Sequence, residues 1–141
     1  MRKLSIIHIV VGCSLSLSVM AQERMPSHVY DVYVADKQRI EREYDADKER
    51  CDSFDGNAED VCMAEAEGKE EVAKAELEAK YKPSRENSYK VYAAKAKADF
   101  RVAKEKCDDK AGDAKDVCVE EAKAAEAAAV ADAKRENAEN P

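Results

Sequence analysis

A twelve-residue stretch bounded by cysteines occurs twice, and it limits what this chain can fold into more than any other feature. Cys51-Asp52-Ser53-Phe54-Asp55-Gly56-Asn57-Ala58-Glu59-Asp60-Val61-Cys62 returns at Cys107-Asp108-Asp109-Lys110-Ala111-Gly112-Asp113-Ala114-Lys115-Asp116-Val117-Cys118. A shift of 56 residues lays Tyr44 to Ala66 on Phe100 to Ala122 with eleven identities in twenty-three positions, and Tyr30-Asp31-Val32-Tyr33 resembles Tyr89-Lys90-Val91-Tyr92. One supersecondary unit is therefore used twice. In each copy the cysteines lie about one helical turn before and after a short Gly-containing loop. If the flanks are antiparallel helices, the two sulfurs face each other at similar height. Four cysteines allow three pairings. Export and this geometry favour Cys51 with Cys62 and Cys107 with Cys118, each bridge closing a loop of about 12 residues and contributing on the order of 3 kcal/mol.

Such bridges matter because the chain has little else to build a core from. Of its 141 residues 39% are charged, with 4 Gly, 3 Pro and no Trp, and beyond residue 21 there is one Leu, Leu77, and one Ile, Ile40. Ala, Glu, Lys and Arg lose little on entering a helix, whereas strands need β-branched and aromatic residues, so the composition predicts long solvated helices. A small domain with so thin a core needs a covalent or oligomeric supplement.

Met1-Arg2-Lys3 followed by the apolar run Leu4 to Val19 and by Val19-Met20-Ala21 reads as a signal peptide cleaved after Ala21. Its loss leaves 22 basic residues against 31 acidic, a net charge of −9. An acidic surface without a basic stripe argues against nucleic acid or anionic lipid as partners, since both are bound chiefly through Lys and Arg. Val10-Val11-Gly12-Cys13 resembles a bacterial lipobox and offers the alternative of a lipid anchor through Cys13; cleavage there would leave a short apolar run before it and the still apolar Ser14 to Ala21 after it.

The remainder divides into a leader over 22–28, a first helical hairpin over 29–82, a second over 83–138 and a tail over 139–141. Tyr30, Tyr33, Ile40, Tyr44, Cys51 and Phe54 fall at steps of three and four residues or their sums, which predicts one helix ending before Asp55-Gly56, with Lys37 and Asp47 in the stripe's missing places. Asn57 is the expected N-cap of a second helix, Ala58 to Tyr81, supported by Glu70 with Lys74 and by Glu76 with Lys80. Gly68 within it marks a soft spot or a close approach of a neighbour. Pro83 ends that helix and Ser84 caps a third, whose stripe Tyr89, Ala93, Ala96, Phe100, Ala103 and Cys107 follows a heptad. Gly112 and Asp113 restart the chain into a fourth helix, Ala114 to about Ala138.

Catalytic chemistry finds no foothold in this pattern. A redox catalyst presents Cys-x-x-Cys at an exposed helix start, and a zinc site wants short Cys and His spacings; the mature chain has neither, and His28 is its one histidine. The carboxylates fall on solvated faces, without the concave apolar setting a hydrolase needs. No cofactor, metal or catalytic residue is expected. Tyr30 and Tyr33, mirrored by Tyr89 and Tyr92, are packing residues that also offer a patch for a protein partner. A disulfide that senses redox state is the competing role for the cysteines, since Cys62 and Cys118 lie in the first turns of capped helices.

The element Lys-Glu-x-Cys-Asp-x-x-x-Gly-x-Ala-x-Asp-Val-Cys, at Lys48 to Cys62 and Lys104 to Cys118 behind a signal peptide, resembles one found in exported proteins of Gram-negative bacteria. Those proteins carry tandem copies in Ala/Lys/Glu-rich helices, and some are labelled TolA-like or cell envelope biogenesis proteins. The resemblance covers most of the mature chain, implies a periplasmic address and transfers no catalytic residues. The expectation is an all-α protein of two tandem disulfide-closed antiparallel helical hairpins, arranged as an up-down four-helix bundle or left as extended coiled-coil-like hairpins that dimerise. Its expected role is that of a non-enzymatic structural or interaction protein with a partner in the cell envelope.

Overall fold

The computed structural model describes residues 25–139, which form four helices: α1 Ser27–Cys51, α2 Asn57–Tyr81, α3 Arg85–Cys107 and α4 Asp113–Glu139. The segment expected to be a signal peptide with its Cys13, the start of the expected leader and the last two residues lie outside this range.

Each boundary has a local cause. Pro26 precedes α1, where a missing N–H costs nothing, and its carbonyl accepts from the N–H groups of Val29 and Tyr30, so the helix begins two residues before the expected Val29. At the other end the Ser53 hydroxyl donates to the Arg50 carbonyl at 2.7 Å. Phe54 is thereby carried out of the helix and off the stripe assigned to it, and it stands 44% exposed in the turn. Gly56 and Gly112 have φ of 60° and 57°, a left-handed backbone that L side chains adopt at a cost.

The second helix starts differently from expectation. Gly56 occupies the cap, its carbonyl accepting from Glu59 and Asp60 N–H, while Asn57 is already helical and its Oδ1 is buried without a hydrogen-bond partner. The expected cap of α3 is present: Ser84 is extended and its Oγ accepts from Asn87 N–H at 3.1 Å. Asn87 also donates through Nδ2 to the Lys82 carbonyl at 2.7 Å, which fastens the Pro83 turn.

The tandem antiparallel hairpins and both bridges are formed, with Cα separations of 5.5 Å for Cys51–Cys62 and 5.7 Å for Cys107–Cys118. Antiparallel succession puts the two bridged tips at one end and the Pro83 turn at the other. α1 packs on α2, α2 on α3 and α3 on α4, and no other pair of the described helices comes together. The row is open; α4 does not return to α1 as it would in a closed bundle. The core is correspondingly thin, with Ile40, Leu77, five alanines and the two bridged cysteines Cys51 and Cys107 as its buried apolar residues. So little apolar bulk fills the seam between two neighbouring helices but not a central space shared by four.

Candidate functional site

Three places combine exposure with chemistry: the bridged tips, the tyrosine end and the groove between α2 and α3.

At the tips Cys51 and Cys107 are fully buried at 0% exposure, each on the inner face of the helix it ends. Their partners Cys62 and Cys118 are half-buried in the second turns of α2 and α4. The buried member of each pair is shielded from an attacking thiolate, so exchange at either bridge has to begin at the half-buried sulfur of Cys62 or Cys118. Beside the first tip sits an acid that the sequence pattern left as an interruption of the seam. Asp47 is only 7% exposed, with Lys69 of α2 at 2.8 Å and Arg50 at 3.1 Å. The Lys69 hydrogen bond is the chief reason its carboxyl is held below the usual carboxylate range.

At the opposite end Tyr33 stacks on Tyr30 at 6.4 Å and meets Tyr81 edge-on at 5.4 Å. The Tyr33 hydroxyl donates to Glu78, which raises the phenol's pKa and, with Lys82, lowers that of the carboxyl. Asp36 receives Lys80 Nζ at 2.8 Å and the Tyr81 hydroxyl at 2.9 Å, and these bonds lower its pKa. Tyr30, Tyr33 and Tyr81 thus line an open recess of about 1290 Å³ with Pro26, Pro83 and Met25. Tyr89 and Tyr92 lie on α3 and do not line it; Tyr92 is 45% exposed, and no ring contact joins either to the first pair among the described residues. The mirrored four-tyrosine patch is therefore split, and Tyr81 completes the part that forms. Only its place at the end of a helix that folds back on α1 could have indicated this.

Between α2 and α3 the backbones approach closely at Gly68, where a Cβ would stand 2.8 Å from Ala98 Cβ and 3.3 Å from its Cα. Gly68 thus marks a close approach. Arg101 reaches from α3 to Glu67 at 3.1 Å and Glu71 at 2.9 Å. Burial pushes the Glu71 carboxyl up, but Arg101 and Lys97 outweigh it and its pKa ends below the ordinary value. Glu70 pairs with Lys74 at 2.6 Å, as its spacing predicts. Glu76 and Lys80 do not pair: Glu76 turns to Lys95 of α3 at 2.9 Å and Lys80 to Asp36 of α1, because interhelical partners stand closer than the next turn. On one side of this contact runs an apolar-floored groove of about 850 Å³, rimmed by charged residues from both helices.

No family model, curated protein or solved structure matches the chain. Its class rests on its own geometry: a disulfide-clasped all-α protein, whose two bridges belong to an oxidising, non-cytoplasmic compartment. Among the described residues no helix is long and apolar enough to cross a membrane.

Proposed function

We propose that the chain is a non-enzymatic structural or interaction protein of the periplasm, released from its signal peptide after Ala21 and working at the cell envelope through a protein partner. The observation that carries this reading is the investment of both bridges in shape. Each ties a hairpin at its tip, and the buried sulfurs of Cys51 and Cys107 suit a clasp better than a reactive thiol. The tyrosine recess at the far end, where aromatic faces are held by Glu78 and Asp36, has the composition of a protein contact. The resemblance of the repeated element to exported envelope proteins points to the same address.

The test is expression with the native leader in a Gram-negative host, followed by fractionation and non-reducing intact mass. The reading expects a periplasmic product beginning at Gln22 and four hydrogens lighter than the reduced chain. A cytoplasmic product, or one lipidated at Cys13, contradicts the released form. Rapid alkylation of Cys62 or Cys118 in fresh periplasm would instead favour the redox-responsive role. For the partner, a photo-crosslinking residue at Tyr30, which is 56% exposed, should trap an envelope protein that the same residue at exposed Lys123 on α4 does not.

A further inference from the structure

An open row leaves uncovered what a closed bundle would bury, and the α2–α3 groove is where this shows. Its floor is Gly68, Val72 and Ala73 of α2 with Ala98, Val102 and Ala103 of α3. Its rim carries Glu65, Lys69 and Glu76 on α2 and Lys95, Asp99 and Lys106 on α3. Because the helices are antiparallel, acid and base sit at matching heights across it: Lys106 Nζ lies 3.6 Å from Glu65 and Lys95 Nζ 2.9 Å from Glu76. By the register that pairs Glu67 with Arg101 and Glu71 with Lys97, Lys69 and Asp99 also share a height. Lys69 already holds Asp47, whereas Asp99 makes no ion pair among the described residues.

From this pattern we infer that a second copy of the chain covers the groove, related by a two-fold axis that runs parallel to the helices midway between α2 and α3. Rotation about that axis preserves height and lays each α2 antiparallel on the partner's α3. Glu65 then meets the partner's Lys106, Glu76 the partner's Lys95 and Asp99 the partner's Lys69, while the two floors close on each other. The other face-to-face two-fold, perpendicular to the helices, reverses height and sets Glu65 against Glu76 and Lys95 against Lys106, like on like. The charges select the first arrangement, as e and g charges select partners in coiled coils. The groove spans about eleven residues of each helix, roughly 17 Å at 1.5 Å per residue, so its association is that of a small interface, with Kd on the order of 10–100 µM.

The experiment is sedimentation of the oxidised chain at low ionic strength, from about 1 µM to about 500 µM. The wild type should pass from monomer to dimer. Lys95→Glu/Lys106→Glu and Glu65→Lys/Glu76→Lys change exposed side chains, so far-UV circular dichroism should show each helical. Each alone should dimerise more than tenfold more weakly, because four of the six rim pairs become like-charged while only the two between Asp99 and Lys69 persist. An equimolar mixture should recover a heterodimer within about threefold of wild-type affinity, although the pairs within each chain remain broken. Val102→Gln, which leaves the rim intact, should also weaken the dimer by removing floor. A wild type that stays monomeric overturns the inference. So do charge variants that self-associate as tightly as wild type, a mixture that stays apart, or a Val102→Gln dimer of undiminished affinity.

Discussion

Among single residues, the glycines show how one residue type meets different constraints. Gly56 and Gly112 have open space around them, and what they supply is a positive φ; Gly68 has ordinary helical backbone but no room. Gly56→Ala and Gly112→Ala should each cost about 1–2 kcal/mol by backbone strain alone, read from denaturant midpoints. Gly68→Ala gains roughly 1 kcal/mol of helix propensity yet must push Ala98 away, so it should destabilise by about 1 kcal/mol net, and adding Ala98→Gly should recover part of that loss by removing the contact between the two Cβ atoms. The second pair of tests would fail if Gly68→Ala proved stabilising. The carboxylates give a pH signature. Asp47, Glu71 and Glu78 all have lowered pKa values, so the stability they contribute is present above the ordinary carboxylate value of about 4 and is lost as pH falls through their lowered ones. Tyr33, raised by its bond to Glu78, acts with the opposite sign: its contribution is intact below about pH 10 and is lost as pH rises through the raised value. The thermal midpoint should therefore be flat from about pH 5 to about pH 10 and fall on either side, and a decline already between about pH 7 and about pH 5 would count against these pairs. From sequence, Asp47 reads only as a gap in an apolar stripe. Its partner Lys69 stands 22 positions away, and spacing along one helix says nothing about a neighbour across a hairpin.

At the scale of the helices, the two hairpins share a tip but not a way of holding together. α1 and α2 are joined along their length by Asp47–Lys69, Asp36–Lys80, Tyr33–Glu78 and Tyr81–Asp36. Between α3 and α4 polar links stand at the two ends, Lys115–Asp108 at the tip, 2.9 Å, and Arg85 to the Asn137 carbonyl at the far end, with Ala122 and Ala133 as the buried residues of α4. The second clasp therefore carries a larger share of its hairpin. Cys107→Ser/Cys118→Ser should raise amide exchange throughout α4 by more than tenfold, whereas Cys51→Ser/Cys62→Ser should loosen chiefly the tip of α1 and leave its tyrosine end protected. Equal loosening of α1 and α4 would contradict this. The hairpins themselves were readable from the duplicated Cys-Gly-Cys element, because a bridge, a turn and a helix restart are all local. The heptad stripe of α3 was readable too, and it ends at Cys107, whose bridge reaches α4. The opposite side of α3, where Arg101, Lys97 and Lys95 meet α2, reads in sequence as an ordinary solvated face.

For the whole molecule, the order of contacts follows the order of the chain, and nothing in the described residues locks the first helix to the last. Sequence periodicity leaves bundle and extended hairpins equally open, because a stripe shows that a helix has a neighbour but not how many neighbours share one space. The structure resolves the choice through bulk: two large aliphatic residues and five alanines suffice for seams between pairs. What then keeps an acidic, charge-rich row folded is the covalent clasp at each tip, supplemented by ion pairs that solvent screens. By the loop-closure relation each clasp contributes about 3 kcal/mol, which in a chain of this size corresponds to a shift of about 10 °C in the thermal midpoint. The most direct measurement is thermal unfolding of residues 22–141 by far-UV circular dichroism, oxidised and then with both bridges reduced and alkylated. A fall in the midpoint of about 20 °C on reduction is the predicted result; a midpoint unchanged by reduction would contradict the account at its centre.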